Sequence, residues 1–89
     1  MITKKEKEII THCARKYNVS KILLFGSSLE KDSEPNDIDI GVKGIEPGLF
    51  FRFYGELIKH LPRPIDVVDL SQKTLFTQLI EKNGVRIYG

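Results

Sequence analysis

The sequence predicts an α+β domain: a small mixed β-sheet with helices packed on it. Three observations carry that expectation. Helical and strand-like stretches alternate in the order α-β-β-α-β-α-β. Strands one and two are joined by too short a connection for a full crossover helix, so the sheet is not a simple parallel one. Leu23-Leu24-Phe25-Gly26-Ser27-Ser28 reads as a buried strand broken by a tight turn, and Asp37-Ile38-Asp39-Ile40 as a second strand, with nine residues, 28–36, between Ser27 and Asp37.

Each element has a local reason. Thr3 and Glu6 have the spacing of a capping box, and Ile9, Ile10, Cys13, Ala14 and Tyr17 recur at helical spacing, which predicts a helix over 4–17 stopped near Asn18. Lys21 to Phe25 is short and apolar, hence a central strand covered on both faces. The polar stretch from Leu29 to Asn36 contains Pro35 and reads as a loop or short helical turn. Asp37 to Val42 is the second strand, with Gly41 and Gly44 marking its end. Pro47 suits the first turn of a helix. Phe50, Phe53, Tyr54, Leu57, Ile58 and Leu61 then form one apolar stripe that Leu49 and Phe51 widen, until Pro62 and Pro64 stop it. Ile65 to Asp69 is a third strand. Ser71 is read as the cap of a last helix with Leu75, Phe76, Leu79 and Ile80 on its core face. Asn83-Gly84 supplies a left-handed stop, and Val85 to Tyr88 a closing strand. The helices are expected on one side of the sheet.

Bulk properties narrow the function classes. The 89 residues, 40% hydrophobic and 29% charged, suit a single domain spanning 1–89 around one core. A net charge of +2 gives no case for nucleic-acid binding, and Lys4, Lys5 and Lys7 alternate with Glu6 and Glu8 as on a solvated helix face. Cys13 is the lone cysteine and lies on the apolar stripe of its helix, so it reads as a core residue. No apolar run approaches the ~18 residues of a membrane span, and no signal-peptide core follows the start. The expectation is a cytoplasmic protein. His12 and His60 read as surface histidines, and Asp69, out of phase with Asp66, as a polar strand end.

The acids carry the chemistry. Residues two apart on a strand point the same way, so Asp37 and Asp39 project together. Carboxylates held that close call for a cation or a shared proton. Hard divalent cations such as Mg²⁺ take carboxylate oxygens and complete their shell with water and substrate phosphates. Asp66, on a later strand, is a candidate third acid. An isolated Asp-x-Asp is far more often a turn residue followed by a solvent-facing strand residue. Likewise Gly26 either permits a tight turn or lets backbone N–H groups approach a phosphate, with the Ser27 hydroxyl donating beside them. There is no Gly-Lys-Ser/Thr ending of a P-loop and no Gly-x-Gly-x-x-Gly.

Together, the strand, the Gly26-Ser27 turn, Asp37-x-Asp39 and the later Asp66 resemble the nucleotidyltransferase superfamily with a polymerase-β-like palm. More narrowly, the chain resembles the minimal nucleotidyltransferases, over residues 17–88. The resemblance implies that Gly26 and Ser27 hold a nucleoside triphosphate, ATP favoured. It implies that Asp37, Asp39 and Asp66 bind Mg²⁺, two ions in all, with Asp66 assisting deprotonation of an acceptor hydroxyl. It further implies transfer of a nucleoside monophosphate to a protein partner, in the role of antitoxin to a helical HEPN-type toxin. Self-association is a further possibility for the widened stripe of the second helix. One departure stands out: family members often continue the turn as Gly-Ser-x-Ala-Arg-Gly, and here Glu30 occupies the arginine position, with Lys31 next. Glu30 repels a triphosphate, and Lys31 lacks the bidentate fork of arginine. A fold kept for contact alone is therefore the alternative reading.

Overall fold

A computed structural model describes residues 2–26 and 37–89. Helix α1 (Lys4–Lys16) begins at the predicted capping box: Glu6 N–H donates to the Thr3 hydroxyl (3.1 Å) and Thr3 N–H to the Glu6 carboxylate (2.8 Å). Asn18, at φ 55°, turns the chain out of the helix. Strands β1 (Lys21–Leu24), β2 (Ile38–Lys43), β3 (Ile65–Asp69) and β4 (Val85–Tyr88) form one sheet in the order β3-β2-β1-β4. β1 runs antiparallel to β2 and β4, while β2 and β3 are parallel. β2 runs through Gly41 and ends at Gly44 (φ +80°), so only the second of the two glycines terminates it. Gly41 instead makes room for Leu70, whose side chain reaches to 2.9 Å from where a Cβ would stand.

After a 3-10 turn at Pro47–Leu49, helix α2 (Phe50–His60) lies beside α1 on one face of the sheet. Ile10, Cys13 and Ala14 of α1, Phe53 and Leu57 of α2, and Ile22, Leu24, Ile38, Ile40, Val42, Ile65 and Val67 of the strands make one core. The Tyr17 and Phe53 rings meet edge to face at 5.8 Å, and the Tyr54 hydroxyl donates to the Ile65 carbonyl (3.0 Å). Phe51 is 82% exposed, as its place at the stripe margin predicts. Ile58, expected on the stripe, is 60% exposed because it stands about 100° round the helix from buried Leu57.

The expectation of helices on one side is corrected by α3 (Leu75–Asn83), which packs on the opposite face through Ile80, Leu23 and Leu70. The handedness of crossovers explains it. The connection β2–α2–β3 moves toward one edge of the sheet, and β3–α3–β4 moves back across to the other. With both crossovers right-handed, the reversal of direction places the second helix on the second face. Thr74, not Ser71, caps α3, exchanging backbone-to-hydroxyl bonds with Thr77 (2.9 and 3.1 Å). Ser71 N–H donates to the Asp69 carboxylate (2.9 Å) and so belongs to the turn that closes β3. Gly84 is extended (φ −69°) and not left-handed. A Cβ there would stand 2.6 Å from the Ile80 carbonyl oxygen and 3.1 Å from Leu23 Cβ, so the tight exit from α3 calls for glycine and the approach to β1 adds to it.

Candidate functional site

The candidate site lies where β1 ends and β2 and β3 begin. Apolar alternation sets its register: Ile38, Ile40 and Val42 must face the same core as Ile65 and Val67. That pairs Ile38 with Ile65 and, one step on, Asp39 with Asp66. The two carboxylates therefore share a register position on adjacent parallel strands and project to the face opposite α1 and α2. Asp39 is half-buried and Asp66 exposed. A one-residue slip would drive one of these charges into the apolar core.

Gly26 follows β1 directly, and Phe25 N–H donates to the Asp39 carbonyl (3.1 Å), which fixes the turn beside the acid. At φ +66° Gly26 occupies the left-handed region. A Cβ added to it would stand 2.7 Å from Asp39 Oδ2 and 3.3 Å from its Cγ. Glycine here thus serves two ends, the turn and the space beside the carboxylate. Asp37 precedes β2 and is exposed, two residues from Asp39. Among the described residues no three or more His, Cys, Asp and Glu gather into a cage for a metal ion. The arrangement is an open half-set of oxygen donors, the kind that a hard cation completes with water and phosphate oxygens. Ser27, Glu30, Lys31 and the 29–36 segment lie outside the described residues.

Gly26→Ala is expected to lower stability by about 1–2 kcal/mol, the cost of a left-handed non-glycine residue. It should also push the Asp39 carboxylate aside. Thermal melts with and without ATP and Mg²⁺ check both effects. A variant with parental stability and a parental ligand-dependent shift would show that Asp39 does not depend on this space.

The model of the polymerase beta nucleotidyltransferase family matches residues 7–89. The chain belongs to that family. No protein of curated function matches the sequence significantly. Among solved structures, the nucleotidyltransferase domain is similar to a chain of the toxin-antitoxin MntA-HepT, at 22% identity over 98% of this chain and 73% of that one, with a TM-score of 0.74. It is also similar to a chain of a toxin-antitoxin with AMP-PNP, at 24% identity over 93% and 73%, with a TM-score of 0.76. A third, from a mutant of the MntA pair with two aspartates two positions apart changed to glutamate, gives 21%, 93%, 72% and 0.75. At these identities the likeness is one of fold.

Other polar residues of the nucleotidyltransferase domain have structural roles. Cys13 is 1% exposed; burial, with Glu56 beside it, pushes the thiol up to about 11, so it stays protonated and unreactive at neutral pH. Glu56 accepts hydrogen bonds from Lys16 and from the Tyr17 hydroxyl (3.0 Å), tying α2 to α1. His12 and His60 are exposed on the rim of a shallow groove between these helices. Asp69 ends its strand as a turn acceptor. No helix among the described residues is long and apolar enough to cross a membrane.

The sequence reading missed one feature of the site's surroundings. Phe25 meets Phe76 of α3 edge to face at 5.8 Å, which brings α3 to the flank of Gly26. Phe25 was legible only as the last residue of a buried strand.

Proposed function

We propose that this domain transfers a nucleoside monophosphate, AMP by preference, from a nucleoside triphosphate to a hydroxyl of a partner protein. In this reading it is the antitoxin of a toxin–antitoxin pair whose toxin is a helical HEPN-type protein. The observation that carries the reading is the in-register pair Asp39–Asp66 beside Gly26. Family membership supports it, as does the likeness in fold to structures described as toxin-antitoxins, one with AMP-PNP. Like charges opposite each other on neighbouring strands oppose sheet pairing, and a cation offsets that.

In the reaction the acceptor oxygen bonds to the α-phosphorus as the bond to the β-phosphate bridge breaks, and pyrophosphate leaves. Asp66 takes the proton of the acceptor hydroxyl. The in-register Asp39 and Asp66, with Asp37 joining them, would hold Mg²⁺ together with water and phosphate oxygens, and the ion would supply charge neutralisation for the phosphates. Gly26 admits the Asp39 carboxylate against the turn, and the triphosphate would approach the backbone N–H groups there, with the Ser27 hydroxyl donating to it.

Incubation with labelled ATP, CTP, GTP or UTP, Mg²⁺ and the protein encoded in the neighbouring reading frame tests this. Label should pass to that protein, from ATP above the others, and no label from any nucleotide would refute transfer. Glu30 in the family's arginine position favours a second reading, neutralisation by contact alone. Asp39→Asn separates the two: under the contact reading it neutralises the partner as well as the parent does.

A further inference from the structure

Helix α3 rests on the sheet through few side chains. Thr77 and Ile80 are buried, whereas Leu75 is 81%, Phe76 54% and Leu79 57% exposed. Leu75, Leu79 and Lys82 follow one another at helical spacing along the outer stripe, with Phe76 beside them. Three of the four apolar residues that periodicity assigns to a core thus face outward on the same side of the sheet as Asp39 and Asp66. The patch joins the site through Phe76, Phe25 and Gly26, whose missing Cβ opens onto Asp39 Oδ2. A molecule that extends from α3 past Phe76 and Phe25 arrives at Gly26 and the Asp39 carboxylate.

We infer that this face of α3 docks the acceptor protein, seating an apolar segment flanked by acidic residues so that its hydroxyl reaches the Asp39–Asp66 pair. The inference rests on the transfer reading and names where that acceptor sits. Charge selects the occupant. Lys73 at the approach to α3, Lys82 on the stripe and Arg86 on the adjoining strand are all exposed. The acid of this helix, Glu81, is engaged by Lys21 (2.9 Å) and Lys43 (3.2 Å). A second copy of the chain would set the same cations against one another, whereas an acidic segment complements them. Phe76 is the one exposed ring of the patch and already meets Phe25 edge to face, while Leu75 and Leu79 are aliphatic, so successive nucleobases find no series of rings to stack on and the patch suits protein over single-stranded nucleic acid.

The test uses the full chain and the helical protein encoded beside it, titrated by calorimetry, with ATP–Mg²⁺ binding measured on the same samples. Leu75→Glu combined with Leu79→Glu should weaken the complex at least tenfold while ATP–Mg²⁺ affinity and melting temperature hold. Leu75→Ser with Leu79→Ser removes the same apolar area without added charge and serves where the first variant fails to fold. Lys82→Glu should weaken the complex as well, by a smaller factor. Parental affinity in the folded double variants overturns the proposal, and so does a parent chain that does not bind the protein. A parental homodimer dispersed by the same substitutions, or displacement of the protein by a single-stranded oligonucleotide, assigns the face to another occupant and overturns it too. Failure of the parent to bind ATP–Mg²⁺ would instead count against the transfer reading, and the effect of the α3 variants on the complex is read independently of it.

Discussion

Asp39→Asn should abolish the stabilisation that Mg²⁺ and ATP confer on the parent chain. A ligand that binds only the folded state adds about 2.7 kcal/mol at 100 times its dissociation constant. For a domain of this size that raises the melting temperature by roughly 10–20 °C. The expectation follows from register: Asp39 and Asp66 occupy one position on adjacent strands, and Gly26 keeps the space beside Asp39 clear. Asparagine keeps the shape of the side chain and removes its charge, so the sheet persists while the donor set loses its central anion. Labelled transfer to the partner should fall to background in the same variant. Melts of parent and variant with Mn²⁺ or Mg²⁺, with and without ATP, measure it. An undiminished metal-dependent shift in the variant would show that the acids hold no ion.

The largest effect on stability is expected at Arg63. Its guanidinium donates to the Glu6 carboxylate through Nε (2.8 Å) and Nη2 (3.0 Å), pinning the start of α1 to the turn before β3. The Glu6 side chain is 5% exposed and that of Arg63 22%. Arg63→Met keeps the apolar stem and leaves a buried carboxylate without this guanidinium. The cost at neutral pH should be about 3 kcal/mol, the low end for breaking a buried pair because Arg63 retains some solvent. The pH dependence has a definite sign. The bonds from Arg63 hold the Glu6 carboxyl below the usual carboxylate range against the opposing effect of burial. The pair's contribution is therefore fully present above the unfolded value, near 4.5, and is lost as pH falls through the folded value. In Arg63→Met burial acts without that opposition, so the variant loses less on acidification. Urea unfolding at pH 7 and pH 4 should show the gap between parent and variant narrowing. A gap equal at both values would mean the ion pair adds nothing and the loss is one of packing.

These two sites were unequally legible in the sequence. Thr3 and Glu6 announce the start of α1 through a contact three residues apart, which local chemistry dictates. The link from Glu6 to Arg63 joins residues 57 apart and becomes visible only when the chain folds. The same division runs through the candidate site. That Asp37 and Asp39 share a side follows from strand alternation, and the family motif from Gly26 to Asp66 was readable as a pattern. The pairing of Asp39 with Asp66, and the carboxylate packed 2.7 Å from where a Gly26 Cβ would stand, required the strand partners to be known.

Among the errors, the last helix is the instructive one. Thr74-x-x-Thr77 lacks the acidic partner of the usual capping box, so Ser71 drew the boundary too early. Leu75, Phe76, Leu79 and Ile80 have the spacing of a core stripe, and periodicity alone cannot tell a stripe that meets a sheet from one that meets solvent or a partner. Local sequence determined the elements, their order, the caps of α1 and the direction in which the acids point, because these depend on contacts within a turn or a pleat. Only the tertiary structure decided the strand order, the register that aligns Asp39 with Asp66, and the face that α3 takes. Those depend on which distant strands pair and on the handedness of the crossovers between them, and α3 falls on the side of the acids because its crossover runs back across the sheet.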